Sequence, residues 1–266
     1  IGNALAGKNT VVVTPTASGK TLCYNAPVLS AILKDPTTRA LYLFPTKALA
    51  QDQLDELHGL VTDLQADIRT FTYDGDTPAD ARRAVRQAGH IVLTNPDMLH
   101  AAILPHHTKW MQLFESLQYV VIDEVHSYRG VFGSHLANVL RRLRRICQFY
   151  GADPTFILCS ATIANPGELA AALVGDDVEL IDDNGAPSGE RVVVIHNPPV
   201  VNRELGIRQS SLKAARDISA ELIRSGIQTI VFAPSRTRVE LLLTYLRDSL
   251  RNKPGDPERV TGYRGG

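Results

Sequence analysis

Short apolar runs alternate with longer amphipathic stretches along the first two thirds of the chain. Each apolar run is continuous, which is typical of strands that are covered on both faces of a parallel sheet. The stretches between them have the length and the amphipathic patterning of helices. The predicted strands are Thr10–Val13, Ala40–Phe44, Ile68–Tyr73, His90–Thr94, Tyr119–Ile122 and Phe156–Cys159. The predicted helices include Lys47–Leu64, Pro78–Gln87 and Gly133–Tyr150.

A polar, turn-rich stretch interrupts this pattern after Asp182. It reads DDNGAPSG, and two consecutive prolines follow in HNPPVVN, so neither a helix nor a strand is expected there. The alternation resumes with a helix near Ser210–Arg224, a strand at Thr229–Phe232 and a helix at Arg236–Arg251. The repeated order of strand, helix and strand predicts an α/β protein made of two doubly wound parallel-sheet domains.

Length and composition agree with two domains and with a protein that does not cross a membrane. A chain of 266 residues with 44% hydrophobic residues can fill two cores. We place the domains at residues 1–183 and 184–266, and the second is too short to complete a sheet of this type. No apolar run approaches the ~18 residues of a membrane span. The three cysteines are scattered without a CxxC spacing, which predicts reduced thiols in the cytoplasm and no zinc site.

Charge is distributed unevenly, although the formal net charge is zero. Residues 190–266 contain 13 Lys and Arg against 8 Asp and Glu, so the rest of the chain is acidic. A basic C-terminal part weakly favours a phosphate-bearing partner. A predicted helix carries four further arginines on its outward face, and a solvated surface is the default interpretation, with nucleic-acid contact as the alternative. These residues are Arg141, Arg142, Arg144 and Arg145.

The segment TPTASGKT, Thr14–Thr21, lies directly after a predicted strand and directly before a helix. Phosphate-binding loops occupy this position, because the N-terminus of a helix offers free N–H groups and the positive end of its dipole. Lys20 would neutralise the β and γ phosphates of ATP, and Thr21 would place its hydroxyl on Mg²⁺. Thr14 stands where the strict pattern has glycine, so a chance GKT in a turn is the alternative. The predicted nucleotide site consists of Thr16, Ala17, Ser18, Gly19, Lys20 and Thr21.

The segment DEVH, Asp123–His126, follows the predicted strand Tyr119–Ile122. A carboxylate at the end of a strand that neighbours the phosphate loop can hold Mg²⁺, which prefers oxygen ligands and keeps several waters. Asp123 is the predicted metal residue, and Glu124 is the predicted base that orients and deprotonates the attacking water. A helix N-cap is the alternative for an Asp-Glu pair after a strand. The phosphate loop upstream favours the catalytic interpretation.

Together these segments resemble the motifs of superfamily 2 helicases with a DEVH box. Motif I is TPTASGKT, motif Ia is FPTKALAQDQ, motif Ib is LTNPDML, motif II is DEVH, motif III is SAT and motif IV is IVFAPSRTRVE. The longer strings DEVHSYRGVFGSHLANVLRRLRRIC and CSATIANPGELA are most similar to the bacterial mitomycin-repair helicase family and its fungal and plant RecQ-like relatives. The Lhr helicases are the next most similar branch. The resemblance implies two RecA-like domains, the second incomplete here, with ATP in the cleft between them.

The resemblance also implies that a nucleic-acid strand lies across the tops of both domains. Hydroxyl, ammonium and amide groups at strand-to-helix turns suit phosphate contacts that read no bases. A helix N-cap is the alternative for Thr94 and Asn95, and a solvated lysine is the alternative for Lys47. The implied backbone contacts are Thr46, Lys47, Thr94 and Asn95 in the first domain, and Ser235 and Arg236 in the second. The residues implied to relay the nucleotide state are His126, Ser160 and Thr162.

The function implied by the resemblance is that of an ATP-dependent DNA helicase that uses Mg²⁺ and moves 3′ to 5′ in repair. Its catalytic residues would be Lys20, Asp123, Glu124 and His126. Its partner would be single-stranded or partly duplex DNA, in the bacterial cytosol. An RNA helicase of the same superfamily and a nucleic-acid-binding fragment without turnover are the alternatives.

The helicase pattern is incomplete in this sequence. The glutamine motif that precedes motif I is missing, as are motifs V and VI. In related NTPases the arginine of motif VI contributes a factor on the order of 10³–10⁵ in turnover. We therefore expect residues 1–266 alone to bind ATP weakly and to hydrolyse it poorly.

Overall fold

Two compact units make up the chain, residues 1–188 and residues 189–266. The computed structural model describes residues 1–15, 19–183, 185, 189–250 and 260–262. Within these ranges, no helix has both the length and the apolar character needed to cross a membrane.

The first unit is built around seven strands that form one sheet. They are β1 (Thr10–Val13), β2 (Arg39–Leu43), β3 (Thr70–Thr72), β4 (Ile91–Thr94), β5 (Leu117–Ile122), β6 (Thr155–Ser160) and β7 (Glu179–Ile181). Their order across the sheet is β3-β4-β2-β5-β6-β1-β7, and every neighbouring pair is parallel. The predicted α/β class with a parallel sheet is confirmed for this unit.

The helix α1 (Gly2–Leu5) precedes β1. Further helices join consecutive strands, because parallel neighbours cannot be connected by a tight turn. They are α2 (Lys20–Lys34), α3 (Lys47–Asp63), α4 (Ala79–Ala88), α5 (Pro96–Met98), α6 (Met111–Glu115), α7 (Gly130–Phe149) and α8 (Pro166–Val174). Segments of π or 3-10 geometry lie at Leu99–Ile103, Leu104–Trp110 and Val125–Ser127.

Alternate strand residues point to opposite faces of the sheet, so the first unit has two apolar layers. Val11 and Val13 pack in one layer, which α7 and α8 cover, and Val12 packs in the other, which α2 and α3 cover. In the first layer Trp110 is almost fully buried and lies edge-on to Tyr73, with 4.8 Å between the ring centroids. Cover on both faces explains why the strands are continuous apolar runs in the sequence.

The six predicted strands all exist, and none of their ends differs from the predicted one by more than two residues. The segment Ile68–Tyr73 contributes only the three-residue β3, which lies at the edge of the sheet and pairs with β4 alone. The strand β7 was not predicted, because its three residues are exposed and form no buried apolar run.

One expected neighbour relationship is wrong. The strand that leads into Asp123 was expected beside the strand of the phosphate loop, but β6 lies between β5 and β1 and pairs with both. A parallel sheet with crossovers need not keep sequence order in space. The SAT segment at the end of β6 therefore lies between the two motifs of the predicted ATP site.

The described part of the second unit contains a short antiparallel ribbon and two helices. The strands are β8 (Val200–Asn202) and β9 (Ile207–Arg208), and the helices are α9 (Ser211–Arg224) and α10 (Arg236–Leu250). Ala220, Leu242 and Leu246 form the small apolar cluster of this unit. Both helices were predicted, and their starts agree with the predicted ones to within one residue.

The strand predicted at Thr229–Phe232 is wrong. These residues adopt no strand, and the side chains of Ile230 and Phe232 are 78% and 91% exposed. A strand needs a partner for its N–H and C=O groups, and within the described residues of this unit only β8 and β9 pair. The assignment of residues 184–266 to an incomplete RecA-like domain therefore stays a prediction.

The replacement Gly133→Ala is expected to destabilise the first unit. A Cβ at this position would overlap the carbonyl oxygen of Tyr128 and would lie 2.9 Å from its carbonyl carbon. Overpacking of this kind costs about 1–3 kcal/mol in the free energy of unfolding, which chemical denaturation measures.

The matched control is Gly59→Ala on the exposed side of α3. No atom lies within 4 Å of a Cβ built there, so alanine should stabilise the helix by about 0.5–1 kcal/mol. Equal stabilisation by both replacements would contradict the close approach of α7 to Tyr128.

Candidate functional site

The chain passes from β1 to α2 at the carboxyl edge of the sheet, where ligands bind in folds of this kind. Gly19 precedes α2 with φ 77° and ψ 25°, in the left-handed region that favours glycine. The free N–H groups of the first turn of α2 consequently lie at this edge. Thr16, Ala17 and Ser18, which were predicted to bind the nucleotide, lie outside the described residues.

The side chain of Lys20 contacts the backbone of this loop. Its Nζ donates to the carbonyl oxygen of Thr14 at 2.9 Å and to that of Pro15 at 3.3 Å. Thr21 follows in the first turn of α2 and is half-buried. The geometry gives an ammonium group, a hydroxyl group and a helix N-terminus in one place, which is the donor set that a phosphate chain requires.

Asp123 is a half-buried carboxylate at the end of β5. Burial raises the pKa of Asp123 to about 6, and the neighbouring charge of Glu124 acts in the same direction. The backbone N–H of Glu124 donates to Oδ1 at 2.8 Å, and the hydroxyl of Tyr24 lies 3.4 Å from Oδ2. A carboxylate whose charge is poorly solvated binds a nearby cation more strongly, so Asp123 suits a metal ion.

Glu124 adopts a strained backbone conformation, with φ 52° and ψ 43°. Non-glycine residues seldom occupy this region, and such strain collects at functional sites. In this conformation Oε2 of Glu124 lies 3.1 Å from Nδ1 of His126.

His126 connects the DEVH segment to the end of β6. Its Nδ1 accepts from the backbone N–H of Ala161 at 3.3 Å, and the same atom lies 3.1 Å from Glu124. A neutral Nδ1 accepts from a backbone N–H, whereas a protonated Nδ1 donates to a carboxylate, so the two contacts belong to different states of the ring. The imidazole can therefore exchange Glu124 for Ala161 as its partner.

A cleft of about 350 Å³ unites these groups. Six of its lining residues were predicted from the sequence, namely Gly19, Lys20, Thr21, Asp123, Glu124 and His126. Four were not, namely Phe44, Leu49, Gln53 and Ala161. Phe44, Leu49 and Gln53 stand inside the segment FPTKALAQDQ, so the only sequence signal for them was membership of that motif.

The chemistry of the cleft fits a magnesium–nucleotide complex. The described residues contain no cluster of three His, Cys, Asp or Glu that could enclose a metal. Mg²⁺ bound to phosphates keeps several waters and needs only one or two protein oxygens. Thr21 and Asp123 supply a hydroxyl and a carboxylate on the same cleft, and Lys20 supplies the positive charge for the phosphates.

The turns after β2 and β4 contain residues predicted to contact the nucleic-acid backbone, and their side chains form different kinds of hydrogen bond. Thr46 is exposed and caps α3, accepting from the N–H of Leu49 at 3.3 Å. Asn95 caps α5 in the same way, accepting from the N–H of Met98 at 2.8 Å. Thr94 is 2% exposed, and its hydroxyl donates to the carbonyl oxygen of Tyr73 at 2.6 Å. The helix-cap alternative therefore holds for Asn95, whereas the hydroxyl of Thr94 binds the backbone at Tyr73.

Lys47 forms an exposed ion pair at the start of α3. Its Nζ lies 2.6 Å from Oδ2 of Asp76, and this hydrogen bond raises the pKa of Lys47 and lowers that of Asp76. Asp76 is held in its turn by Asp74, whose Oδ1 accepts from the N–H of Asp76 at 2.8 Å. Lys47 is therefore exposed to solvent, as the solvated-lysine alternative has it, but its ammonium is also paired with a carboxylate.

The SAT segment contacts the DEVH segment through its backbone. The hydroxyl of Ser160 is buried and donates to the carbonyl oxygen of Ala161 at 2.8 Å. Thr162 is exposed. The hydrogen bond that joins the two segments is the one from the N–H of Ala161 to His126. The sequence could not identify this donor, because nearly every residue has a backbone N–H whatever its side chain is.

The motif IV residues lie at the start of α10 in the second unit. Ser235 is exposed, and its Oγ accepts from the N–H of Arg238 at 3.3 Å, as a helix cap does. Arg236 is the first residue of α10 and is exposed. Their contact with nucleic acid stays a prediction.

The arginine-rich face of α7 borders a groove of about 940 Å³, which is larger than the cleft at the DEVH segment. Arg144 pairs with Asp176 at 2.9 Å, and Arg141 donates to Asn138 at 2.9 Å. The groove contains none of the residues that converge around Lys20, so its size does not mark it as the catalytic site. Both interpretations of the face stay open.

Comparison with known families decides the class of the protein. A protein-family model described as DEAD/DEAH box helicase matches residues 1–169. The chain belongs to this family. Membership of the DEAD/DEAH box helicases explains why a phosphate loop, a DEVH segment and a SAT segment occur on one RecA-like sheet.

Two curated relatives match nearly all of the chain. It is 59% identical over 260 residues to the uncharacterized ATP-dependent helicase YprA of Bacillus subtilis, covering 98% of this chain and 35% of YprA. It is 38% identical over 276 residues to the ATP-dependent helicase HRQ1 of Saccharomyces cerevisiae, covering 98% of this chain and 25% of HRQ1.

A solved structure, that of the DUF1998 helicase MrfA bound to DNA and AMPPNP, superposes with a TM-score of 0.92 at 58% identity. The match covers 96% of this chain and 35% of that one, so the chain spans about a third of the length of such a relative. The predicted resemblance to superfamily 2 helicases of this branch is confirmed.

The replacement Asp123→Asn is expected to stabilise the nucleotide-free chain at neutral pH. The pKa of Asp123 rises from 3.8 to about 6 on folding, so the folded state disfavours the charged form. A shift of roughly two units corresponds to about 2–3 kcal/mol, present in full above pH 6 and vanishing below pH 4. Urea denaturation of both proteins across this range in the absence of Mg²⁺ measures the difference.

Asp35→Asn is the control, because it should change the free energy of unfolding in the opposite direction. Hydrogen bonds from Thr37 lower the pKa of Asp35, so its charge stabilises the folded state above its ordinary pKa, and its removal should destabilise the chain at neutral pH. A pH-independent effect of Asp123→Asn would show that its carboxylate is well solvated.

Proposed function

We propose that this chain is the ATP-hydrolysing core of a DNA helicase. The main support for this proposal is that one cleft at the carboxyl edge of the parallel sheet is lined by Lys20, Thr21, Asp123 and Glu124. Membership of the DEAD/DEAH box family supports hydrolysis of ATP as the reaction of this cleft. Residues 1–183 would form the first RecA-like domain, and residues 184–266 would form part of a second.

Each charged group in the cleft has a distinct task in this proposal. Lys20 and the first N–H groups of α2 bind the β and γ phosphates, while Thr21 and Asp123 hold the metal. Mg²⁺, when bound, neutralises charge on the phosphates. Glu124 orients the attacking water and takes its proton. The carboxylate of Glu124 lies beside His126, whereas that of Asp123 faces the hydroxyl of Tyr24.

The proposal includes a link between hydrolysis and the nucleic-acid strand. His126 contacts both Glu124 and the backbone of Ala161, so a change in the charge of the cleft alters which partner it holds. Ser160 and Thr162 flank Ala161 and would move with it. The coupling would therefore run through the backbone of the SAT segment.

The proposed nucleic acid is single-stranded or partly duplex DNA, gripped through its phosphates by Thr46, Lys47 and Asn95, and by Ser235 and Arg236. The relative MrfA has been solved bound to DNA, which supports this choice. From the resemblance we further propose 3′ to 5′ movement, a role in repair and action in the bacterial cytosol. RNA is the alternative substrate.

The replacement Glu124→Gln should abolish DNA-stimulated ATP hydrolysis by the full protein. Glutamine keeps the shape of the side chain but cannot accept the proton of the attacking water. Loss of a general base lowers turnover by a factor on the order of 10²–10⁴. Phosphate release is measured with single-stranded DNA, with RNA and with neither, and binding of AMPPNP should persist.

Glu115→Gln is the control, because Glu115 is exposed at the end of α6 and should tolerate the change. Stimulation by RNA alone would favour the alternative substrate. Undiminished turnover in Glu124→Gln would remove Glu124 from the mechanism, and an absence of turnover in the unmodified protein would contradict the enzyme assignment.

The replacement Asp76→Asn should tighten binding to single-stranded DNA. Asp76 occupies the ammonium of Lys47 that the phosphate backbone is proposed to use, and an exposed pair of this kind contributes little stability of its own. We expect the dissociation constant to fall by roughly two- to fivefold at low salt and the difference to shrink as salt is added. Fluorescence anisotropy with a labelled oligonucleotide measures both.

Two variants separate the specific effect from a general loss of negative charge. Asp67→Asn removes an exposed carboxylate whose partner, Arg69 at 3.6 Å, is not proposed to bind DNA, so it should have a smaller effect. Lys47→Gln should cancel the gain from Asp76→Asn. Weaker binding by Asp76→Asn would instead mean that Asp76 positions Lys47 for the phosphate.

A further inference from the structure

The hydroxyl of Tyr24 lies among groups from three different elements. Tyr24 is in the second turn of α2 and is 0% exposed. Its hydroxyl donates to Oε1 of Gln53 on α3 at 2.7 Å and lies 3.4 Å from Oδ2 of Asp123 at the end of β5. One oxygen atom thus contacts Asp123, a proposed metal ligand, and the helix of motif Ia.

The ring of Tyr24 is fixed in this position by packing. It lies edge-on to Tyr42, with 5.4 Å between the ring centroids and an angle of 86° between the planes. A phenolic hydroxyl carries its proton at neutral pH. The group is therefore a permanent donor whose direction the surrounding core determines.

Packing alone does not explain the hydroxyl. A phenylalanine would fill the same apolar space, and burying a hydroxyl is unfavourable unless it forms hydrogen bonds. The hydroxyl of Tyr24 gains those bonds only because Gln53 and Asp123 face it. Its presence in the core points to a task at the cleft, which Gln53 also lines.

We propose that Tyr24 is a positioning residue that couples the metal site to α3. The single proton of the hydroxyl is donated to Gln53, and the carboxylate of Asp123 lies close enough to compete for it. The first turn of α3 contains Lys47, the proposed DNA contact, so a shift of Gln53 on DNA binding reaches Asp123 through one hydroxyl. This inference rests on the proposed ATP-driven DNA function.

The test is Tyr24→Phe in the full protein, which removes the hydroxyl and keeps the ring. ATP hydrolysis is measured with and without single-stranded DNA, as a function of Mg²⁺ concentration. A hydrogen bond to a charged group is lost, so we expect the ratio of DNA-stimulated to unstimulated turnover to fall roughly tenfold. The Mg²⁺ concentration for half-maximal turnover should rise by a similar factor.

Tyr42→Phe is the matched control. The hydroxyl of Tyr42 is also buried, and it donates to Oδ1 of Asn25 at 3.0 Å in the same apolar layer, with no contact to the cleft. Both variants lose one buried hydrogen bond, so thermal unfolding should report comparable stability. Only Tyr24→Phe should change the Mg²⁺ dependence and the stimulation by DNA.

A double variant identifies the route of the coupling. If Tyr24 acts through Gln53, then Gln53→Leu should reduce stimulation as Tyr24→Phe does, and the double variant should be no worse than either. Independent, multiplying losses would overturn the coupling. Stimulation and Mg²⁺ dependence in Tyr24→Phe equal to those in Tyr42→Phe would overturn the inference while the proposed function stands.

Failure of the proposed function is recognised separately. It would appear as an absence of DNA-stimulated turnover in the unmodified protein. The positioning role is then judged by the thermal shift that AMPPNP produces at a series of Mg²⁺ concentrations. A higher Mg²⁺ concentration for the half-maximal shift in Tyr24→Phe than in Tyr42→Phe would support it, and equal concentrations would overturn it.

Discussion

The cost of holding the carboxylate of Asp123 partly out of water is the constraint on which the arrangement of the first unit depends. Burial at the end of β5 raises its pKa, so a nearby cation would stabilise the charged form. The same carboxylate accepts from the backbone of Glu124 and faces Tyr24. These contacts lock the turn after β5, and that turn gives Glu124 its left-handed backbone. The unfavourable burial of the Asp123 charge and the left-handed backbone of Glu124 thus arise in the same turn.

Much of the fold and of the nucleotide site could be predicted from sequence, because both depend on local patterns. Strands covered on two faces must be apolar throughout, which made β1 and β5 visible as runs of valine and isoleucine. A glycine before a lysine at a strand-to-helix turn marks a helix N-terminus that can accept phosphate. The structure then brings Lys20, Asp123 and Glu124 to one cleft.

The remaining features depend on contacts between distant residues, which no local pattern encodes. Tyr24 is 29 positions from Gln53 and 99 positions from Asp123, and nothing in α2 alone distinguishes it from an ordinary core aromatic. The insertion of β6 between β5 and β1 is likewise a property of the whole sheet. Ala161 contributes a backbone N–H, which any residue would have. The false strand at Thr229–Phe232 shows the converse, since β-forming residues adopt no strand where the described part of their unit offers no partner strand.

The close approach of Gly133 to Tyr128 has a mechanical consequence. With no side chain between them, the first turn of α7 rests directly on the backbone that follows the DEVH segment. The helix contains 20 residues and is therefore roughly 30 Å long. The start of this long helix and the turn after the DEVH segment are therefore in direct backbone contact, so neither can shift without the other.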